Sequence, residues 1–285
     1  MKYTPRQPQS NVNVTPTSPL KDFFVLAGGL LAIVVIIYLL LGLAVDVIAP
    51  HISMDLENKM APLVGASFKM DRKDPSKRTQ FLQSIVDNIQ KNCTRLPYRF
   101  QVHIHPSKDV NAIALPGGHI LVFLGLLERM SSENELAFIL AHEMGHYAHR
   151  DHLRGLGRAL VFMTVSTFFF GADSSVSKML SKTLHLTELS LSRKQETWAD
   201  AFALKTLQCA YGHVAGATDF FEKIPKEQDP GKFGHYFASH PENRRRISQL
   251  KGLIRIGKFD RLKRKVLPEG FQDLTLNEIH RKGMS

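Results

Sequence analysis

The chain has 285 residues, 44% of them hydrophobic and 22% charged, which is apolar material for one substantial catalytic domain with appendages and too little for two independent enzymatic cores. The formal charge is +11, but residues from Pro241 to Ser285 alone hold 12 Lys+Arg against 5 Asp+Glu; the excess is local, no zinc-finger, RNA-recognition or glycine-clamp signature accompanies it, and nucleic acid is not an expected partner. Two cysteines, Cys93 and Cys209, are too few for a disulfide-dense scaffold or a thiolate metal site, and leave open one disulfide or two buried thiols.

In chain order, residues 1–22 form an arm rich in Pro, Gln, Asn, Ser and Thr that reads as disordered. Residues 23–45 carry no charge. As a helix they cover about 34 Å, enough for a hydrocarbon core of about 30 Å, and the run is longer and lies further from the start than the apolar region of a cleaved signal peptide. It reads as a single retained transmembrane anchor contacting membrane lipids. Lys2, Arg6 and Lys21 precede it, while Asp46, Asp55 and Glu57 follow, a bias that places the N-terminus inside. In a bacterial host this is the inner membrane, with everything after the anchor facing the periplasm or exterior.

Residues 46–75 read as a connecting segment, 76–250 as the catalytic domain and 251–285 as a basic tail. Within the domain, Phe81, Leu82, Ile85, Val86 and Ile89 recur at helical spacing, up to an end near Asn92. Strands are predicted over 100–105, 111–115 and, after Pro116-Gly117-Gly118, 119–124. Ser132 followed by Glu135 is a capping-box signal for a helix that carries His142 and His146. The apolar stretch 159–171 is too short to span a membrane and reads as a core or interfacial helix, with a membrane-dipping hairpin or a lid over the cleft as alternatives. Residues 192–207 are again helical by pattern, a loop follows over 225–237, and a short terminal helix begins near Pro241.

Chemistry concentrates in His142-Glu143-Met144-Gly145-His146. Four-residue spacing on a helix puts both imidazoles on one face, where they can share a tetrahedral metal ion, and Glu143 beside them is placed to move a proton. Two third ligands are conceivable. His152 stands where a metzincin places its third histidine, but that architecture needs glycine where this chain has His149, so His149 and His152 read as a continuation of the helix without a metal role. Glu196, four residues ahead of Asp200 on the same helical face, is the other candidate; the bland reading of that pair is an exposed acidic couple beside Arg193 and Lys194.

These residues, with Asn111 to Ile120, Ala210-Tyr211-Gly212, Ser239-His240-Pro241 and Arg246, resemble the membrane-associated zinc peptidases of the CAAX prenyl protease, HtpX and mitochondrial Oma group, within the gluzincins. The likeness covers about residues 80–250. It implies one Zn2+ per chain on His142, His146 and Glu196, Asp200 orienting a ligand histidine, and Glu143 and His240 as catalytic groups, His240 near the oxyanion with Arg246 supporting it. It also implies that Asn111, Ala112, Ile113 and Ala114 form an edge strand that pairs with extended polypeptide substrate. The expected fold is α+β: a mainly helical zincin-type peptidase domain with a small antiparallel or mixed sheet, preceded by one transmembrane helix. With one anchor instead of several spans, the chain is closer to the single-anchor, Oma-like or periplasmic members. The expected activity is zinc-dependent endoproteolysis of misfolded or damaged membrane and envelope proteins. The rival is an inactive membrane-tethered chaperone-like protein with a structural zinc, against which Glu143 and His240 both argue, since neither is needed merely to hold metal. No oligomeric state is legible.

Overall fold

A computed structural model describes residues 18–68, 76–171, 191–223, 240, 243–260 and 262–271. Helix α1 (Pro19–Ile48) comes first and ends in a 3-10 turn at Ala49–His51; none of its residues is buried, and it is long and apolar enough to cross a membrane. Helix α2 (Met54–Ser67) follows, its N-terminus capped by Ser53 Oγ, which accepts from the Leu56 amide at 3.2 Å. Helix α3 (Lys77–Asn92) is capped the same way by Ser76 and buries the predicted face of Leu82, Ile85, Val86 and Ile89.

The three strands lie within a residue or so of the sequence expectation: β1 (Gln101–His105), β2 (Ala112–Leu115) and β3 (His119–Phe123). Their order is β1-β3-β2, with β3 parallel to β1 and antiparallel to β2, so the sheet is mixed. The β2–β3 turn needs its two glycines: Gly117 and Gly118 sit at φ +82 and +86, and a Cβ on Gly118 would lie 2.7 Å from the Arg99 carbonyl oxygen. One face of the sheet, through Val102, Ala112, Ala114, Ile120 and Val122, belongs to the main core with α3. The other face, Ile113, Leu115, Leu121 and Phe123, is closed by Val64 and Phe68 at the end of α2. The stretch that reads as a connector therefore covers half of the sheet.

After the short α4 (Leu124–Leu127), helix α5 (Glu133–Ala148) runs through the middle of the molecule with 15 of its 16 residues buried. A helix surrounded on all sides has no solvent face, which explains the unbroken apolar run from Leu136 to Ala141 in its middle. The Ser132 cap forms, accepting from Glu135 N at 3.2 Å, but the Glu135 carboxylate reaches one residue further back, to Ser131 N at 2.8 Å, and also takes Lys223 Nζ at 2.7 Å. The expected capping box is thus only half made. Helix α7 (Arg193–Tyr211) carries a complete one, from Ser192 and Gln195.

The helix bearing the histidines does not continue to His152, contrary to the expectation. It stops at His149, and Arg150 adopts the left-handed conformation, φ 56 and ψ 33, before α6 (Asp151–Phe170) starts in a new direction. Among the described residues, helices α8 (Asp219–Lys223) and α9 (Asn243–Ile256) follow. Cys93 at the end of α3 is disulfide-bonded to Cys209 in α7, which resolves the alternative left open by the sequence. The predicted loop 225–237 and the arm before residue 18 lie outside the described residues.

Candidate metal centre

Helices α5 and α7 cross at Gly145. A Cβ there would meet the Ala199 Cα at 2.9 Å, so glycine in the middle of the motif lets the two backbones close up. That approach brings Glu196, one turn before Ala199, to the histidines. The His142 and His146 Nε2 atoms are 3.1 Å apart, with Glu196 Oε2 at 3.5 Å from the first and Oε1 at 3.6 Å from the second. Donor atoms of His142, His146, Glu196 and His240 all lie within 4.8 Å of one another, and all four residues are buried.

Each of the two imidazoles is held from behind. His142 Nδ1 faces Asp200 Oδ1 at 3.0 Å, and His146 Nδ1 faces Asp151 Oδ2 at 3.1 Å. With both Nδ1–H groups given to carboxylates, the two Nε2 atoms and the Glu196 carboxylate converge on one point, an arrangement that needs a positive charge. A proton can supply it. Burial and the Arg246 guanidinium push the His142 imidazole down, but Asp200 and Glu196 outweigh them and hold it up at about 9. A metal ion can supply it instead by displacing that proton, and two imidazoles with a carboxylate are the donor set of a catalytic site that keeps a position open. Glu196 Oε2 also lies 2.6 Å from Arg246 Nη1 but without hydrogen-bond geometry, so it keeps lone-pair capacity for a cation. The residues fit a metal.

Arg246 from α9 braces the acidic side, its Nη2 and Nε meeting the two Asp200 oxygens at 2.6 and 3.0 Å. Burial raises the Glu196 and Asp200 carboxyls, yet the His240 and Arg246 charges hold Glu196 well below the usual carboxylate range, and Arg246 with His142 lowers Asp200. His240 lies between two carboxylates, Nδ1 at 2.8 Å from Glu196 Oε1 and Nε2 at 3.8 Å from Glu143 Oε1.

The cleft in front of Glu143 is lined by Ala112, Ile113, Ala114, His146, Asp151 and His240, among others. Among the described residues β2 has one strand neighbour, β3. Phe123 N donates to the Asn111 carbonyl, making Asn111, Ile113 and Leu115 the residues that face β3; the carbonyls of Ala112 and Ala114 and the Ala114 amide point to the opposite edge. The Asn111 side chain accepts from Ala112 N at 2.9 Å. Tyr147 Oη on α5 lies 2.5 and 2.6 Å from the Leu115 and His119 carbonyl oxygens and shares its one proton between them, fixing the turn end of β2 and β3 against α5. The structure thus brings His142, Glu143, His146, Glu196, Asp200, His240 and Arg246 together, with Ala112, Ile113 and Ala114 lining the same cleft, while Ser239 and Pro241 lie outside the described residues.

It adds two that the sequence did not show. Asp151 mirrors Asp200, and its pairing with His146 exists only because the chain turns at Arg150. Burial raises the Asp151 carboxyl, and His146 brings it below its ordinary range. Glu57 of α2 is fully buried beneath the site, accepting from Arg150 Nη2 and His152 Nε2, both at 2.8 Å, from Gly117 N at 3.0 Å and from Tyr98 Oη at 3.2 Å. Burial pushes its carboxyl up, but His152, Gly117 and Arg150 together bring it down to about 2.

Two histidines and an acid converging from two helices, with a further carboxylate between them and an open strand edge, define the site of a metallopeptidase. A sequence profile described as Peptidase family M48 matches residues 76–254. Metalloprotease LoiP of Escherichia coli (strain K12) is 29% identical over 175 residues, covering 60% of this chain and 68% of LoiP. Metalloprotease YcaL of the same strain is 28% identical over 195 residues, 64% of this chain and 72% of YcaL. The mitochondrial metalloendopeptidase OMA1 of Arabidopsis thaliana is 33% identical over 143 residues, half of this chain and 29% of that longer protein. The chain belongs to Peptidase family M48, and is a metallopeptidase acting on polypeptides.

Proposed function

We propose that the chain is a zinc-dependent endopeptidase, anchored by α1, that cleaves extended segments of misfolded or damaged membrane and envelope proteins. The observation that carries this reading is the convergence, in one cleft, of the Glu143 carboxylate, the His142, His146 and Glu196 donor set and the outward edge of β2. Zinc held by those three residues, one ion per chain, supplies the Lewis acidity that makes water nucleophilic near neutral pH. An extended substrate pairs with the Ala112 and Ala114 edge, which reads backbone and so accepts many sequences. Glu143 takes the proton of the attacking water and delivers it to the departing amine nitrogen. His240 donates to the carbonyl oxygen as negative charge develops on it, and Glu196, itself paired with Arg246, fixes where that imidazole sits.

The anchor reading rests on the length and exposure of α1, and the charge bias around it supports a domain on the outer side. The Cys93–Cys209 disulfide supports that side, because such bonds persist in oxidising compartments.

The test compares wild type with Glu143→Gln in the full chain, measuring metal content and cleavage of an unfolded protein. Both are expected to carry one zinc per chain, and only wild type to cleave, losing activity to a chelator and regaining it with zinc. Equal cleavage by the two would overturn the role given to Glu143, and a zinc-loaded wild type that cleaves nothing would replace this reading with the chaperone-like one.

A further inference from the structure

Helix α6 starts at the metal site and ends far from it, beside α1. The two run antiparallel. Arg158 Nη2 holds the Asp46 carboxylate at 2.7 and 2.8 Å, Gly157 presses on Val45 so closely that a Cβ would sit 2.7 Å from Cγ1, and further along Phe162 meets Tyr38 edge-on at 6.1 Å. Asp46 is the first charged residue after the apolar run of α1, so the ion pair marks the level at which both helices leave polar surroundings. From Ala159 to Phe170 there is no charge. The outward side chains are nevertheless open: Leu160 53%, Met163 42%, Phe168 82% and Phe169 41% exposed.

Such a cluster of aromatic and aliphatic groups does not face water in a stable protein without a partner. Ile36, Leu39 and Leu40 of α1, which the Gly157–Val45 and Phe162–Tyr38 contacts bring to the same level, are exposed as well. One hydroxyl within the segment is already satisfied, Thr164 Oγ1 donating to the Leu160 carbonyl at 2.8 Å, as hydrocarbon surroundings require.

From this we infer that residues 159–170 are embedded in the bilayer beside α1. The inference rests on α1 being the anchor. The segment extends 12 residues past Arg158, about 18 Å along a helix, which takes it past the middle of a hydrocarbon core of about 30 Å without crossing it. One consequence concerns substrates. Asp151, which holds His146, lies seven residues before Arg158 on the same helix, about 10 Å away. The cleft is then held within about three extended residues of the membrane surface, and its substrate class is the juxtamembrane segment of membrane proteins.

Trp198 is the single tryptophan, so the test is a fluorescence one on the full chain in lipid vesicles, in a Glu143→Gln background that removes any dependence on catalysis. Trp198→Phe is combined with Phe168→Trp, with Leu160→Trp, or, as a reference in α1, with Leu31→Trp. Lipids brominated midway along their acyl chains are expected to quench the Phe168→Trp emission as strongly as the Leu31→Trp emission, Leu160→Trp less, and native Trp198 not at all. Red-shifted, unquenched emission from Phe168→Trp would place the segment in water. Blue-shifted but unquenched emission would place it against protein, such as a second copy. Either overturns the inference while leaving the peptidase reading intact. An unquenched Leu31→Trp would remove the anchor and the inference with it.

Discussion

Asp151 and Asp200 sit alike on different helices: each faces the Nδ1 of one histidine of the motif and leaves Nε2 turned toward Glu196, where the proposed zinc would be held. Groups of this kind change metal affinity by about 10- to 100-fold when removed. Asp151→Asn is therefore expected to weaken zinc binding by that order while leaving the fold intact, as read by competition with a chelator. Unchanged affinity would mean that His146 is oriented by packing alone. The sequence shows Asp200, because four-residue spacing on a helix is a local signal. It hides Asp151, because a histidine and an aspartate five residues apart meet only if the intervening chain turns, and Arg150 in a left-handed conformation has no glycine to announce it. His240 and Arg246 were accessible through family resemblance alone, since nothing local distinguishes a histidine before a proline.

Glu57 is equally invisible in sequence, its partners lying 41 to 95 residues away. Its carboxyl is brought from 4.5 to about 2, so the folded state binds fewer protons than the unfolded one. The resulting stabilisation is complete above pH 4.5 and is lost as pH falls toward 2; the size of the shift corresponds to about 3 kcal/mol at neutral pH. Burial depresses His152 below its ordinary 6.5 even against the pull of Glu57, and this too is a contribution that acidification removes. Thermal unfolding of the Glu143→Gln protein should therefore shift to lower temperature as pH drops below 6.5 and further below 4.5. Adding Glu57→Gln should lower the neutral-pH value and flatten the lower part of the profile. An unchanged acid slope would deny Glu57 its role.

At the scale of elements, periodicity located the helices and strands well because each buries a regular face. It could not show which strands are neighbours: β1 pairs with β3 in parallel, a crossover decided by packing over α3 and α5. Nor could it show that α2 closes the sheet, since the apolar cover comes from Val64 and Phe68 at its end, too few to set a pattern. The crossing of α5 and α7 depends on one atom's absence. Gly145→Ala would gain up to about 1 kcal/mol in helix propensity, yet the added carbon overlaps the Ala199 backbone and drives the two helices apart. The expected result is a net loss of about 1 to 3 kcal/mol together with weaker metal binding, measured by unfolding and by zinc titration. A stabilised variant that holds zinc as tightly as wild type would show that the close approach is incidental.

For the whole molecule, the disulfide joins α3 to the helix that carries Glu196 and Asp200, across a sequence separation of 116. Closing a loop of that size removes about 4 to 5 kcal/mol of unfolded-chain entropy. Reduction is expected to lower the unfolding temperature markedly, compared by calorimetry with and without reductant; an unchanged temperature would mean that the helices need no tie. The family match begins at residue 76, so α1 and α2 lie outside it, although Glu57 of α2 grips the Arg150 turn from which Asp151 is presented.

Arg246 has one more consequence, which concerns the order of synthesis. The histidines, Glu196 and Asp200 leave the ribosome before α9 does, and until α9 arrives the two carboxylates are a buried pair of like charges without their guanidinium. The site is therefore short of one positive charge until α9 has emerged. A nascent peptidase of this design reaches a finished centre only after its own upstream segments have had the chance to fold.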